Sequence, residues 1–227
     1  MYKNIEVLDK QKHKDLKFDD ILDIEVAKNI GIVPIGVDEI LDISSIAPII
    51  INGGENNEFV AFTGLSNVVN IYKNESLYIP KFVKSYPFFN IVVKDENNNL
   101  NTLVAIDNNE NYVGEDKKNS ILAKDKELEE IASKKIALVR ELNRQREISK
   151  KIVQELKDKN LLLKKDFRIG IEDKEKVILE EFYIVNRDEL LKQDDATLAT
   201  WAKKGWMGII DAHIKSLANF QKLLESK

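Results

Sequence analysis

The chain of 227 residues has no cysteine, which excludes disulfides, thiolate metal sites and thiol nucleophiles together. It has only two histidines, His13 and His213. A multi-histidine zinc or iron centre would therefore need carboxylates to complete it. Neither histidine has a carboxylate at helical ligand spacing that the chain clearly positions, and no metal or cofactor is expected. Nucleophile-elbow, P-loop, dinucleotide-binding and H-E-x-x-H patterns are all missing. "DNNENYVGEDKKN" lacks the alternating spacing and terminal glutamate of an EF-hand loop. No apolar run is long enough to span a bilayer, and the opening "MYKNIEVLDKQKHKDLKF" carries charges where a signal peptide would be apolar. A cytoplasmic protein without a transmembrane segment is the expectation.

Proline is scarce and unevenly placed: Pro34, Pro48, Pro80 and Pro87 are the only four. Before Gly114, short apolar runs alternate with turn signals. "IVPIGV" (32–37), "APIIIN" (47–52), "EFVAFTGL" (58–65), "FFNIVV" (88–93) and "NTLVAI" (101–106) have strand length and β-branched or aromatic enrichment. "NGGENN" (52–57) and "KDENNN" (94–99) have hairpin-turn chemistry. Antiparallel neighbours follow, with one short helix over "VDEILDISSI" (37–46). This part is acidic, with 10 Lys and Arg against 17 Asp and Glu in residues 1–114, whereas the remainder has 25 against 22.

Residues 119–159 contain neither glycine nor proline. Leu128, Ile131, Leu138, Leu142, Ile152 and Leu156 recur at helical intervals, predicting a long helix, or two with a soft joint. The charged face of residues 117–159 reads as solvated, with i,i+4 pairs. Arg140 and Arg144 share a face and could together fork a carboxylate or phosphate. "DFRIGIEDKEKVILEEFYIVN" (166–186) predicts a hairpin turning through "EDKEK". Asn186 with Glu189 opens a short helix, and Asp194 or Asp195 caps another through Trp201. Gly205 ends or bends that helix. Trp206, Ile210, His213, Leu217, Phe220 and Leu224 step by three and four, predicting one terminal helix docked on a core. The fold class expected is α+β: an antiparallel β-rich half (1–114) against a mainly helical half (115–227), forming one domain over 1–227. The 166–186 hairpin would extend the sheet or make a second small one.

Two places could carry function. "YIPKFVKSYPF" (78–88) concentrates aromatics and prolines. Pro80 suits the first position of a short helix, which would set Phe82 and Tyr86 on one face between two sheet segments. That face reads either as a core plug or as a ligand-facing platform. His213 lies on the apolar stripe of the terminal helix with Ser216 three residues on. It reads either as a neutral core imidazole or as a general base near Trp206. His13, among lysines, is expected to be exposed.

Several of these stretches occur together in one known family. The opening "MYKNIEVLDKQKHKDLKF", "VPI" (33–35), "API" (47–49), "FTGL" (62–65), "YIPKFVKSYPF" and "KKGWMGIIDAHIKSLANFQKLL" resemble, in order and spacing, the bacterial SapC family of S-layer-associated proteins. The YIP-x-F-V-x-x-YPF block and the pattern formed by Gly205, His213, Ser216 and Leu217 are its most specific parts. The family usually shows an Asn-Leu-aromatic hairpin followed by Gly and Trp where this chain has Asn67 and "NIYKNES". The resemblance implies a link with the paracrystalline surface layer, without an established reaction. It also implies proximity, in some genomes, to halogenase-like and cupin-like enzymes.

The expected function is a non-catalytic accessory or assembly protein of the surface-layer system. It would bind a protein or peptide partner, a surface-layer subunit or an exporter, through Tyr78, Pro80, Phe82, Tyr86, Phe88, Trp201, Trp206 and His213. Surface association would then need a signal-free export route, and a homodimer stays open. The alternative is a small cytoplasmic enzyme, transferase-like or part of a modification pathway, using His213 as base and a tyrosine as acid. Nucleic acid is not an expected partner, because aromatic and basic stretches are separated and the net charge is −4.

Overall fold

The β-branched and aromatic runs of the first half become strands, and every described strand pair is antiparallel. The computed structural model describes residues 4–20, 27–28, 30–54, 57–65, 69–71, 78–125, 127–171 and 174–225. Its contacts divide the chain into two compact units, one of Met1–Asn29 with Ile79–Asn143 and one of Ile30–Tyr78 with Arg144–Lys227. The departure from the family pattern at Asn67 and much of "NIYKNES" lie outside the described residues.

In the first unit, β1 (Ile5–Val7), β9 (Leu100–Asp107) and β8 (Phe88–Lys94) form a three-stranded sheet in the order β1-β9-β8. The turn between β8 and β9 is the predicted "KDENNN". There the Asp95 carboxylate accepts the Asn97 and Asn99 backbone N–H groups, and Asn98 takes a φ of 62°. A second small sheet joins β2 (Lys17–Phe18), β10 (Val113–Gly114) and β11 (Asn119–Ser120). Phe18, Phe88, Ile106, Ile121 and Ile136 meet in its core. The short α2 (Lys81–Lys84) follows Pro80, which is the N-cap rather than the first helical residue.

In the second unit, five strands follow the order β12-β13-β4-β5-β3. They are β3 (Ile32–Pro34), β4 (Ile49–Ile51), β5 (Phe59–Phe62), β12 (Leu162–Ile171) and β13 (Lys174–Val185). The predicted hairpin thus extends the sheet. Strand pairing reaches further than "EDKEK" suggested, because Ile171 pairs with Lys174 and Gly170 with Glu175. β12 is the outer strand. Opposite Asp166 its partner β13 bulges, with Glu180 and Glu181 facing that one residue; the Asp166 carboxylate accepts the backbone N–H of Glu181, which is held at φ 56°. β6 (Gly64–Leu65) and β7 (Val69–Asn70) form a two-stranded ribbon. A 3₁₀ turn (Val37–Glu39) leads into α1 (Ile40–Ser44), the predicted short helix.

Helix α3 (Glu130–Asp158), 29 residues long, begins eleven residues later than the absence of glycine and proline suggested. Local polar groups win upstream. Asn119 donates to the Phe18 carbonyl from β11, Leu122 bridges Leu128, and the Asp125 carboxylate accepts the Glu127 N–H. Ile121 and Leu122 are drawn into the core by this excursion. Helices α4 (Arg187–Leu190) and α5 (Asp195–Lys203) are capped by Asn186 and Asp194 as expected.

The predicted terminal helix is two helices, α6 (Trp206–Ser216) and α7 (Asn219–Glu225). Gly205, at φ 75°, supplies the left-handed turn before α6. The break after Ser216 coincides with side chains that reach sideways. The Ser216 hydroxyl donates to the His213 carbonyl and accepts the Ile49 N–H, while the Asn219 amide donates to the Ser44 carbonyl. Helix α6 packs on α1, α5, β4 and β13. The architecture is α+β, with antiparallel sheets and the long helix in the C-terminal half.

Candidate functional site

"YIPKFVKSYPF" is built around two buried carboxylates, one in each unit. In the first, Tyr86 is 5% exposed and its hydroxyl donates to Asp107 at 2.9 Å. Asp107 is fully buried at the end of β9 and also accepts the Asn4 backbone N–H at 3.1 Å. Burial, with the hydrogen bond to Asp107, pushes the Tyr86 phenol well above its ordinary range. The ring stands edge-on to Tyr112, with centroids 6.0 Å apart. Phe88 is fully buried, and Val83 beneath the short helix is too. Lys135, 8% exposed, donates to the Lys84 carbonyl at 2.8 Å and closes the C-terminal end of α2.

In the second unit, the half-buried Tyr78 donates to Glu39 at 3.0 Å. The other oxygen of Glu39 accepts the Gly36 N–H at 2.8 Å, and Glu39 is 1% exposed. Burial and the neighbouring Glu39 carboxylate raise the Tyr78 phenol. Each tyrosine hydroxyl thus donates to an interior carboxylate that also accepts a backbone N–H. Tyr86→Phe keeps the ring and removes the donor. The expected loss is about 1–3 kcal/mol of unfolding free energy, measured by urea denaturation. A change below a few tenths would mean that Asp107 does not depend on the phenol.

The C-terminal pattern serves the five-stranded sheet. His213 is fully buried on α6, and its Nε2 accepts the backbone N–H of Val185 at the end of β13, at 3.1 Å. Nε2 thus offers its lone pair inward and the proton resides on Nδ1, which has no hydrogen-bond partner. Burial lowers the imidazole pKa to about 4, with the Ile49 backbone pulling weakly the other way. Three residues on, Ser216 accepts from Ile49 of β4 at 2.8 Å. On α3, Ser149 accepts from Phe59 of β5 at 2.8 Å. Three buried side chains thus satisfy strand N–H groups on β13, β4 and β5. Nothing in the sequence pattern had marked Ser149, although a serine on the apolar stripe between Leu142 and Ile152 was a detectable signal.

Of the eight nominated residues, Pro80, Phe82, Tyr86 and Phe88 belong to the first unit, and Tyr78, Trp201, Trp206 and His213 to the second. Tyr78, Phe82 and Trp206 are half-buried and the other five are buried. Trp201 donates to Glu155 at 2.6 Å, and the Lys204 ammonium lies 4.2 Å from the centre of the Trp206 ring.

His13 corrects its expectation. It is 3% exposed, because Nδ1 accepts the Asp9 N–H and Nε2 faces the Glu6 carboxylate, each at 3.0 Å. Arg146, outside the pair that spacing suggested, forks a carboxylate. Arg146 holds Glu58 through Nε at 2.8 Å and Nη2 at 2.6 Å. Among the described residues, no three histidine, aspartate or glutamate side chains converge to hold a metal ion. No helix of the described residues is long and apolar enough to cross a membrane.

An α+β protein whose two signature blocks meet buried polar backbone and carboxylate groups is the class these features define. The chain belongs to the SapC family, whose match spans residues 8–223. No curated protein and no solved structure matches it.

Proposed function

We propose that this protein is a non-catalytic accessory or assembly factor associated with the surface layer, acting by binding a protein or peptide partner. The observation that carries this reading is the state of the groups nominated for chemistry. His213 has its Nε2 lone pair occupied by a backbone N–H and has no exposed surface. A general base must reach the proton that it removes. Tyr86, the block's buried phenol, is committed to Asp107. What the signature blocks leave partly open is aromatic surface at Phe82 and Trp206, the residue type enriched where partners are bound.

The test is capture from the native cell by tagged full-length protein, with cytosol and envelope fractions analysed separately. Wild type is expected to retain a surface-layer subunit or its exporter. Phe82→Ala and Trp206→Ala, made singly, are each expected to weaken that capture tenfold or more while the melting temperature moves by a few degrees at most. Retention of a small metabolite with no surface-layer protein would overturn the proposal.

A further inference from the structure

We infer that the β12–β13 hairpin is a separable flap of the five-stranded sheet, latched to β4 by helix α6 through His213 and Ser216, and that protonation of His213 opens the latch. The seam between β13 and β4 is the thin place in this sheet. The two strands share a single register pair, Tyr183 with Ile51, whereas β12 and β13 pair along nine positions and β4 pairs with β5 along three. Two backbone N–H groups flanking that seam, those of Val185 and Ile49, bond to side chains of one helix rather than to strands. The helix therefore bridges what the ladder does not.

The His213 half of the bridge is titratable. A proton that arrives at Nε2 takes up the lone pair that accepts from Val185, leaving two donors opposed and a cation in an apolar site. The Phe59 ring, with its centroid 5.4 Å from that of the imidazole, lines the site. β4 and β5 carry no charged residue. Among the residues whose side chains are described, the charged groups on the other elements packed there are Asp42 on α1, Asp195 and Lys203 on α5, Glu180 and Glu181 on β13, and Asp211 and Lys215 on α6. All are exposed, and Tyr183 on β13 is half-buried. None of them shifts the imidazole, which burial alone drives downward.

The sign follows. An unfolded histidine takes up its proton near pH 6.5, and His213 in the fold does so only near 4. The latch is fully held above about pH 6.5 and its contribution drains away as the pH falls toward 4.

Hydrogen exchange of the full chain, corrected for intrinsic rates, tests this between pH 7.5 and 4.5. Peptides covering 177–186 are expected to lose protection at least tenfold over that range, while peptides from β8 and β9 retain theirs. His213→Gln offers a non-titrating carbonyl acceptor to Val185 and is expected to abolish the step. The same step in His213→Gln, or a loss spread evenly over the chain, would overturn the inference. Should His213→Gln fail to fold, the His213 ring resonance of the wild type decides. A ring that titrates at about pH 6.5 in the folded chain, as it does in the unfolded one, overturns it equally.

Discussion

Replacing Phe88 with alanine is expected to cost about 3–5 kcal/mol of unfolding free energy. The side chain is fully buried in the first unit and its ring stands edge-on to Phe18, with centroids 5.4 Å apart and planes at 82°. Ile106, its register partner on β9, is fully buried as well. Truncation thus loses transfer free energy and the ring pairing, and opens a cavity between β2, β8 and β9 that these strands can collapse into only in part. A urea melt monitored by far-ultraviolet dichroism measures it. Phe88→Leu, which retains most of the volume, should recover more than half of the loss. A Phe88→Ala cost below 1 kcal/mol would mean that the core there repacks freely.

Arg146→Ala is the second large effect. Glu58 is 3% exposed, and the guanidinium that forks it is the charge that makes its burial tolerable. Removing the cation leaves an unpaired carboxylate inside, at an expected cost of about 2–4 kcal/mol. That is below the range for a wholly buried pair, because Arg146 keeps 27% of its side-chain exposure. The double variant Arg146→Ala with Glu58→Gln separates a stranded charge from lost packing. If the charge is what costs, the double variant is more stable than Arg146→Ala alone near neutral pH. Equal stability at neutral pH would show that the arginine acts through its apolar stem.

The sequence made the strands legible because their side chains are β-branched or aromatic and their turns carry asparagine, aspartate and glycine. Asn186 and Asp194 were readable as caps because capping is local. What escaped depended on partners far along the chain. Glu58 lies 88 residues from Arg146, so spacing within "RELNRQRE" could not single out that arginine. The burial of His13 depends on Glu6 and on a turn that the flanking lysines conceal. The late start of α3 and the break between α6 and α7 share one cause, since periodicity reports apolar faces and not side chains that bond backbone elsewhere. "YIPKFVKSYPF" was recognisable as special. That its tyrosines serve Glu39 and Asp107 became visible only when those carboxylates, from distant segments, were placed against them.

The bulge that β13 makes opposite Asp166 bears on how the protein tolerates crowding. An outer strand of ten residues offers a long template for a neighbouring chain to stack on, the first step toward fibrils. Here its ladder to β13 is irregular at Asp166, and the strand carries exposed Lys164, Lys165 and Arg168 around that point. Irregular spacing breaks the template, and a stacked copy would bring like charges together. Regularising that ladder, or replacing those cations with valine, would convert a protected edge into an aggregation seed without altering the core.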